Sequence, residues 1–484
     1  MKTDILILGG GLSALTAAYE ITQASGHQVT LLQCGSGASP FIHGFCLPIG
    51  SGDSPQLLFQ DTVVSGCGQC DNALVQTLCR ESLSLPQWFR QLGLSVDEED
   101  GRPRLLKSLG SSVPRIAGIH NATGPAVMAS LRSRLAQCEQ YTEYHNHRSV
   151  GLIRENGRVI GARCFDLSER TFFNIYAQVV ILATGGFGRI FPQSTNTPEM
   201  GADGIAMAWE AGAQLRDLEF IQFEPCVATA PQQIAGKGII TTMFYDGAVL
   251  RNRAGERFML RYSPKGEQVP KDTLSKCIAR EDEYVLFDAT AVPEGLWQTV
   301  YQPYLQRYLS CGIDLRTTPV PVAPAAHTTC GGVVIDTACQ TGVAGLLACG
   351  EVTGGLHGAN RLGGNAGLET MVFGRIAGRT AAQAAASLPL PDDDVRSADI
   401  PSDTTVLRGE FQAMVQNSLG VIRKEETMQQ ALLAAEDMLR QLGPWEHSFQ
   451  KLRLHHDLLT AKLVLSSALQ RKSSLGCHEV EMEV

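Results

Sequence analysis

Residues 350–369 combine a carboxylate, a guanidinium group and several glycines in one segment, GEVTGGLHGANRLGGNAGLE. Glycines allow the main chain to approach a ligand closely, and a helix beginning here would offer free N–H groups and a partial positive charge at its first turn. Arg361 precedes Asn365 by four residues. One end of the segment could therefore stabilise an anionic cofactor while the other binds a substrate carboxylate. Taken alone, the segment is also compatible with a glycine-rich turn that carries a surface arginine.

The first residues show the strand, turn and helix of a dinucleotide-binding unit. DILILGGGLSALTAAYEI begins as a short apolar run, passes through glycines and continues with apolar positions at helical spacing. Gly9 and Gly11 would allow a tight turn and the approach of a pyrophosphate, and Ala14 takes the third, helix-packing position. The next strand pattern ends at Gln33, where an acidic residue would normally bind both ribose hydroxyls. Glutamine can still donate and accept hydrogen bonds there, but more weakly.

The composition argues against several classes of protein. The chain has 484 residues, enough for two or three domains, and its 44% hydrophobic and 18% charged residues are typical of soluble proteins. A net charge of -9 argues against nucleic acid or an acidic membrane as the main partner. We predict no signal peptide and no membrane span, since no apolar run approaches ~20 residues. The fourteen cysteines are scattered, with one CxxC at Cys67 and Cys70, which predicts buried thiols in a reducing cytoplasm and no metal site.

The order of patterns predicts an inserted domain and a C-terminal helical domain. Residues 178–186, QVVILATGG, are apolar as in a central parallel strand and stop at a second glycine turn. Short mixed segments without a glycine fingerprint occupy 224–326, and a proline- and aspartate-rich stretch later precedes a region of helical spacing. We therefore divide the chain into a nucleotide-binding domain in two parts (1–223 and 331–387), an inserted domain (224–330), a linker (388–404) and a helical domain (405–484).

Eight segments in order resemble the flavoproteins of the succinate dehydrogenase, fumarate reductase and L-aspartate oxidase family: ILGGGLSAL, DTVVSGCGQCD, ATGGFGRIF, GADGIAMAWEAGA, LEFIQFEP, GERFMLRY, PVPVAPAAHTTCGGVVID and GEVTGGLHGANRLGGNAGLE. Within this family L-aspartate oxidase is the most similar, because GIDLRTTPVPVAPAAHTTCGGV resembles it over an unbroken stretch. The resemblance implies an α/β, Rossmann-like FAD-binding domain, an inserted α+β capping domain and a C-terminal helical domain. It also implies that FAD and substrate meet at the junction of the first two.

The resemblance assigns roles to individual positions of this chain. Substrate carboxylate binding is expected at His327 and Arg361. Membrane-bound relatives tether FAD through a histidine after the serine of the first loop, and that position here is Pro40, so we expect noncovalent FAD, although His43 is nearby. FAD contacts are expected from Gly9, Gly10, Gly11, Leu12, Ser13, Ala14, Gln33, Ser39, Gly44, Thr184, Gly185, Asp203, Glu351, Asn365, Ala366, Gly367 and Leu368.

The substrate end departs from the family pattern in two places that change its charge. Where relatives carry His-Pro-Thr, this chain has Glu224 followed by proline and cysteine. At 4 Å, a second substrate carboxylate beside Glu224 would cost roughly 4 kcal/mol at an effective dielectric constant near 20. Where relatives carry a proton-relay glutamate and an arginine, this chain has Thr241 and Phe244. We therefore expect a substrate other than the usual C4 dicarboxylate.

A third departure concerns the proton donor. The arginine acid of the family is replaced by Lys271. An ammonium gives up its proton more easily than a guanidinium, and burial favours its neutral form further. Lys271 could thus protonate a carbanion or remove a proton. The alternative is a surface lysine paired with Asp272 or Glu267.

Together these features predict a cytoplasmic, FAD-dependent oxidoreductase acting on CH–CH or CH–NH groups. It would transfer a hydride between flavin N5 and a carbon adjacent to a carboxylate or similar group of a small substrate, by enoate reduction or by oxidation of an amino or saturated acid, with Lys271 as the proton donor or acceptor. Two alternatives remain. The chain could be the flavin subunit of an electron-transfer complex with an iron–sulfur partner protein, or an FAD-binding relative without turnover.

Overall fold

The N-terminal unit forms because an apolar strand, a glycine turn and a helix follow one another directly. In the computed structural model, which describes residues 1–120, 122–385, 388–392 and 394–481, strand β1 (Lys2–Leu8) leads through the glycines into helix α1 (Leu12–Ala24). Strand β2 (Val29–Leu32) then pairs with β1 in parallel. Both strands are almost wholly buried, as continuous apolar runs are in a parallel sheet covered on both faces.

The other elements follow in chain order. The helices are α2 (Pro55–Ser65), α3 (Asn72–Ser82), α4 (Leu85–Gln91), α5 (Thr123–Leu135), α6 (Asp203–Glu210), α7 (Lys271–Ala279), α8 (Glu294–Trp297), α9 (Gln302–Leu309), α10 (Asn365–Ala384), α11 (Thr405–Ser418), α12 (Glu425–Leu442) and α13 (Phe449–Gln470). The strands are β3 (Gly44–Cys46), β4 (Glu98–Glu99), β5 (Arg102–Pro103), β6 (Leu105–Leu106), β7 (Ile116–Gly118), β8 (Tyr141–Tyr144), β9 (His147–Glu155), β10 (Arg158–Asp166), β11 (Thr171–Leu182), β12 (Leu215–Arg216), β13 (Ile221–Ala228), β14 (Val249–Arg251), β15 (Val285–Asp288), β16 (Val320–Thr329), β17 (Gly332–Val334), β18 (Leu346–Ala348), β19 (Thr353–Gly354), β20 (Arg396–Ala398), β21 (Ile422–Arg423) and β22 (Glu479–Val480). Short 3-10 turns occur at Ser39–Phe41, Gly188–Ile190, Thr241–Tyr245 and Phe258–Arg261.

The main sheet runs in the order β8-β2-β1-β11-β10-β9, and β18 and β20 also pair with β11. β8, β2, β1, β11 and β18 run parallel to one another, so their carboxyl ends meet at one edge. Open α/β sheets bind their ligands at that edge. The end of β11 is apolar and fully buried, because it lies in the middle of this parallel region.

The inserted region forms a second sheet, in the order β13-β16-β15-β14, with its own apolar cluster. Large aromatic side chains fill that cluster, including Phe244, Phe287 and Trp297. The C-terminal helices α11, α12 and α13 instead share the core of the main sheet. The chain thus has a Rossmann-like α/β domain, an inserted α+β domain and a C-terminal helical domain, which is the fold class predicted from the sequence.

The predicted linker is not wholly irregular. Strand β20 lies within it and pairs antiparallel with β11. Residue 393 of the linker, residues 386–387 before it and residues 482–484 of the predicted helical domain lie outside the described residues. In the described part of the chain, no helix is long and apolar enough to cross a membrane. Nor does any group of three or more His, Cys, Asp or Glu side chains there have the arrangement of a metal site.

Candidate active site

A cavity of about 670 Å³ lies where the carboxyl ends of the parallel strands meet the inserted domain. Both glycine-rich segments, the turn after β11 and the inserted domain contribute to its wall. The predicted site residues that line it are Gly9, Gly10, Gly11, Ser13, Gln33, Ser39, Gly44, Thr184, Gly185, Asp203, Glu224, Lys271, His327, Glu351, Arg361, Ala366 and Gly367. Four others lie behind the wall: Leu12, Ala14 and Leu368 are in the apolar core, and buried Asn365 donates to Thr62 Oγ1 at 2.9 Å.

Two helices begin at this cavity because glycines make the preceding turns possible. Gly9 has φ +129°, and a Cβ there would lie 2.1 Å from the Ala183 carbonyl oxygen. Gly364, just before α10, has φ +92°. The first loop is held against α1 by Ser39, whose Oγ accepts a hydrogen bond from Leu12 N at 2.8 Å. The N-termini of α1 and α10 therefore provide two places where backbone N–H groups and helix dipoles favour an anion.

Asp203 lies at the cavity with both of its carboxylate oxygens already engaged. Its Oδ2 accepts from Arg148 Nε at 2.8 Å, and its Oδ1 lies 2.8 Å from His456 Nδ1. Burial opposes ionisation of Asp203, but Arg148 and His456 hold its pKa well below the usual range. Arg148 also lines the cavity and was missed at the sequence level, because it lies on β9 in a segment without a motif. Arg148 therefore adds a positive charge to this part of the wall.

The substrate end contains an ion pair. Lys271, the first residue of α7, donates from Nζ to Glu224 Oε2. The same oxygen lies 3.6 Å from His327 Nε2, and His327 Nδ1 lies 2.8 Å from Thr195 Oγ1. Burial, together with the nearby Lys271 and Arg361, lowers the pKa of His327 well below its usual value. His327 is therefore a neutral imidazole beside a carboxylate that Lys271 neutralises.

The alternative partners predicted for Lys271 are engaged elsewhere. Glu267 forms an ion pair with Arg257 at 2.7 Å, and Asp272 lies 3.8 Å from Lys276. Lys271 itself is mostly buried and lines the cavity rather than the outer surface. The structure thus places this ammonium among the candidate catalytic side chains.

Arg361 is held in one orientation by Gln222. Its Nε and Nη2 donate to Gln222 Oε1 at 3.1 and 2.9 Å. Gln222 in turn donates from Nε2 to Asn360 Oδ1 at 2.7 Å and to the Arg361 carbonyl oxygen at 2.9 Å. Gln222 is fully buried, on β13 of the inserted domain. Sequence reasoning noted the IQFEP segment without giving this residue a role, since only the folded chain brings it to Arg361.

The two uncharged replacements diverge in the structure. Thr241 lines the cavity together with Thr242, whose Oγ1 is buried without a hydrogen-bond partner in the described chain. Phe244 points into the core of the inserted domain, with its ring centroid 5.3 Å from that of Phe287. This loop therefore offers hydroxyl groups to the cavity but no titratable side chain at the two replaced positions.

Glu351 also lines the cavity, close to the turn after β11. Burial raises its pKa to about 7, although it accepts a hydrogen bond from Thr329 N at 3.1 Å. A Cβ at Gly186 would lie 2.5 Å from Glu351 Oε1, so this glycine is required for the carboxyl group to fit. His43, on the first loop, has a pKa lowered to about 4 by burial and by Arg307, and its ring lies 5.2 Å from that of Tyr304.

The cavity fits a flavin dinucleotide on structural grounds. Its volume is in the range of sites that enclose a whole cofactor. Two of its glycine turns open helix N-termini suited to a pyrophosphate. Buried polar atoms at the site also lack partners within the described chain, including Thr184 Oγ1, Glu199 Oε2 and Asn365 Oδ1. Buried polar atoms are normally hydrogen-bonded, so these are consistent with a bound ligand completing the site.

Comparisons with known proteins agree with this geometry. Residues 4–366 match the FAD binding domain family. The chain is 31% identical to one subunit of the fumarate reductase (CoM/CoB) of Methanothermobacter marburgensis, over 99% of this chain and 94% of the relative. It is also 31% identical to L-aspartate oxidase of Synechocystis, over 98% of this chain and 93% of that protein. A solved variant of E. coli quinol fumarate reductase FrdA matches with a TM-score of 0.90 and 25% identity, covering 100% of this chain and 92% of that one.

These matches confirm the predicted family, fold class and cofactor. They extend over nearly the whole chain and nearly the whole length of the relatives, so they concern the complete arrangement and not the glycine turns alone. The chain therefore belongs to the FAD-binding flavoprotein family of fumarate reductase, succinate dehydrogenase and L-aspartate oxidase, and it is an FAD-dependent oxidoreductase acting on CH–CH or CH–NH groups.

Proposed function

We propose that the site residues predicted from the sequence bind FAD and that the protein transfers a hydride between flavin N5 and a substrate carbon adjacent to a carboxylate or similar group. The convergence of Lys271, Glu224, His327 and Arg361 on the cavity that the two glycine turns enclose carries this proposal. When bound, FAD supplies the hydride chemistry. Relatives named fumarate reductase and L-aspartate oxidase support enoate reduction and amino acid oxidation as the two directions to consider.

Arg361 and His327 have the properties needed to hold and polarise the substrate carboxylate. The guanidinium of Arg361 is fixed by Gln222, so little ordering is lost when it binds an anion. Neutral His327 can donate one hydrogen bond without adding a charge. Fixed donors in a largely enclosed site stabilise the charge that develops on the carboxylate during reaction.

Lys271 is the proposed proton donor or acceptor. In reduction its Nζ gives a proton to the carbon next to the one that receives the hydride, and in oxidation it takes that proton. Glu224 holds the ammonium in place through Oε2. The position of Phe244 in the apolar core supports a route through this pair, since a relay through that residue is excluded.

The test begins with the holoprotein reduced by dithionite without oxygen, followed by addition of enoates and imino acids while the flavin absorbance is recorded. We expect reoxidation by one substrate class, and about 100- to 10,000-fold slower reoxidation for Lys271→Ala. Lys271→Arg, which keeps the charge, should lose less. Exposed Lys265 provides the control, since Lys265→Ala should react like the unmodified protein. Full turnover by Lys271→Ala would exclude the assigned role.

We further propose noncovalent FAD, because Pro40 occupies the expected attachment position and has no nucleophilic side chain. Acid precipitation should leave all of the flavin in solution. The fourteen free cysteines support a reducing, cytoplasmic location, which cell fractionation can check. A second candidate function is that of a flavin subunit in an electron-transfer complex, favoured by a relative that is named as one of several fumarate reductase subunits. Purification from native extract with a second, iron–sulfur subunit would support it.

A further inference from the structure

The charges at the substrate end suggest how many carboxylates the substrate carries. Lys271 and Glu224 neutralise each other as an ion pair whose side chains are 15% and 8% exposed. His327 is neutral because its pKa lies far below the usual value. Arg361 is then the remaining uncompensated charge among these four side chains, since its hydrogen-bond acceptor Gln222 is uncharged. The group as a whole balances one carboxylate.

A second carboxylate would find no cation at the positions where relatives are expected to supply one. Glu224 presents an anion in place of a histidine, and Phe244 is turned away into an apolar core. The cavity wall beside them instead carries the side chains of Thr241 and Thr242. Thr242 Oγ1 is buried and without a partner in the described chain, so it can both donate to and accept from a ligand.

We propose that the substrate is a monocarboxylate whose other end is an uncharged hydrogen-bonding group, such as an amide or a hydroxyl. Its carboxylate pairs with Arg361, and its far end lies against the Thr241 and Thr242 side chains near Glu224. The inference rests on the proposed function, because it assumes that Arg361 holds the substrate. A dicarboxylate would place an excess negative charge in an enclosed site beside Glu224, which is unfavourable without a compensating cation.

Two further cations line the same cavity but occupy other parts of its wall. Lys237 is exposed on the loop before Thr241. Arg307, on α9, lies over the ring of Tyr304 at 5.5 Å, and Tyr304 contacts His43 of the first loop. A diacid that used either cation would contradict the proposal, so longer diacids belong in its test.

The test compares three acids of similar shape on the dithionite-reduced holoprotein: fumarate, its monoamide fumaramate, and crotonate, which has a methyl group at the far end. We expect fumaramate to reoxidise the flavin at least about 100-fold more efficiently than fumarate, since like-charge contacts commonly cost several kcal/mol. Crotonate should react more slowly than fumaramate because it leaves the hydroxyl groups unpaired. Equal or faster reaction with fumarate, or with the longer diacid muconate, would overturn the proposal.

Binding to the oxidised holoprotein separates this inference from the proposed function. Succinate and its monoamide succinamate can be titrated while the flavin absorbance spectrum is followed, with no turnover required. We expect succinamate to bind more tightly by a similar factor. If no acid reoxidises the flavin but succinamate still binds preferentially, the proposed function fails and the charge inference stands. If turnover occurs with no preference for the monoamide, only the charge inference fails.

Variants at Glu224 and Thr242 test the two halves of the argument. Glu224→Gln removes the anion and leaves Lys271 uncompensated, so the ratio of fumarate to fumaramate reactivity should rise at least about tenfold. Thr242→Val should slow fumaramate while leaving crotonate unchanged. An unchanged ratio in Glu224→Gln, or equal losses for both acids in Thr242→Val, would count against the proposal. The flavin spectrum and melting temperature of each variant verify that it has folded.

Discussion

At the scale of single residues, the end of β2 illustrates how one amide can be oriented by its neighbours. Gln33 Nε2 donates to Glu143 Oε1 at 3.2 Å and also faces His145 Nδ1. Because the amide nitrogen is directed to these partners, the carbonyl oxygen is left for another donor. Gln33 lines the cavity at the position where an acidic residue would normally accept from the adenosine ribose. Glu143 thus positions Gln33 as an acceptor.

We expect Glu143→Ala to weaken FAD binding to the flavin-free protein by about fivefold, the equivalent of one ordinary hydrogen bond. FMN lacks the adenosine ribose, so its affinity should not change. Glu143→Gln keeps an acceptor for Gln33 and should recover most of the loss, whereas exposed Glu139→Ala serves as the neutral control. Fluorescence titration of both flavins measures these affinities. Equal losses for FAD and FMN would show that Glu143 acts only on folding.

The sequence could predict most residues around the cavity because they lie in short motifs next to glycine turns. Lys271, His327 and Arg361 come from segments far apart in the chain, yet each was identified within its own motif. Residues that act through a partner were missed. Gln222 matters because it binds Arg361, 139 positions away, and Arg148 because it binds Asp203, 55 positions away. Such pairs have no local signal, since only folding brings their members together.

At the scale of elements, α1 and α10 lie side by side because two glycines of α10 admit the backbone of α1. A Cβ at Gly374 would lie 2.8 Å from the Ser13 carbonyl oxygen, and one at Gly378 would lie 2.6 Å from the Ala17 carbonyl oxygen. The contact is therefore made backbone to backbone. It fixes the two helix N-termini next to the same cavity, so it links packing to cofactor binding.

We expect Gly374→Ala to destabilise the protein by about 1–3 kcal/mol, because the strain of separating the helices outweighs the better helix propensity of alanine. FAD affinity should fall as well, since the helix N-termini move apart. A Cβ at Gly409, which is exposed on α11, would meet no described atom within 4 Å, so Gly409→Ala should stabilise by about 0.5–1 kcal/mol. Thermal unfolding compares the two. If both substitutions stabilise equally, α1 and α10 are not in tight contact.

Elements with a strong local pattern were predictable, and those made by distant pairing were not. The first strand, turn and helix are present as expected, and so are the apolar strand before the second glycine turn and the C-terminal helices. Strand β20 falls within the predicted linker, because its three residues carry no strand pattern and are ordered by pairing with β11. Its register depends on the sheet and not on its own sequence.

At the scale of the whole molecule, the three parts of the chain meet at the cavity through charged contacts. The inserted domain supplies the pair of Lys271 and Glu224, while the C-terminal helix α13 supplies His456 to Asp203. The apolar cluster of the inserted domain is separate from the main core. Ionisable groups where these parts meet should therefore affect the stability of the entire protein.

Glu351 gives this coupling a measurable pH dependence in the flavin-free protein. Its folded pKa of about 7 lies above the ordinary 4.5, mainly because of burial. The protonated form is thus favoured by folding, so the stabilisation is complete below pH 4.5 and is lost as the pH rises through 7. The difference corresponds to about 3 kcal/mol at most.

Glu351→Gln resembles the protonated form at every pH, which makes it the matched reference. We expect the variant and the unmodified flavin-free protein to have similar unfolding free energies near pH 4.5, and the variant to be the more stable one at about pH 8. Taking the difference between the two proteins cancels the contributions of His43, His327 and the other titrating groups. Urea unfolding at both pH values measures it, and a difference that stays constant would mean that Glu351 is ionised in the folded protein throughout.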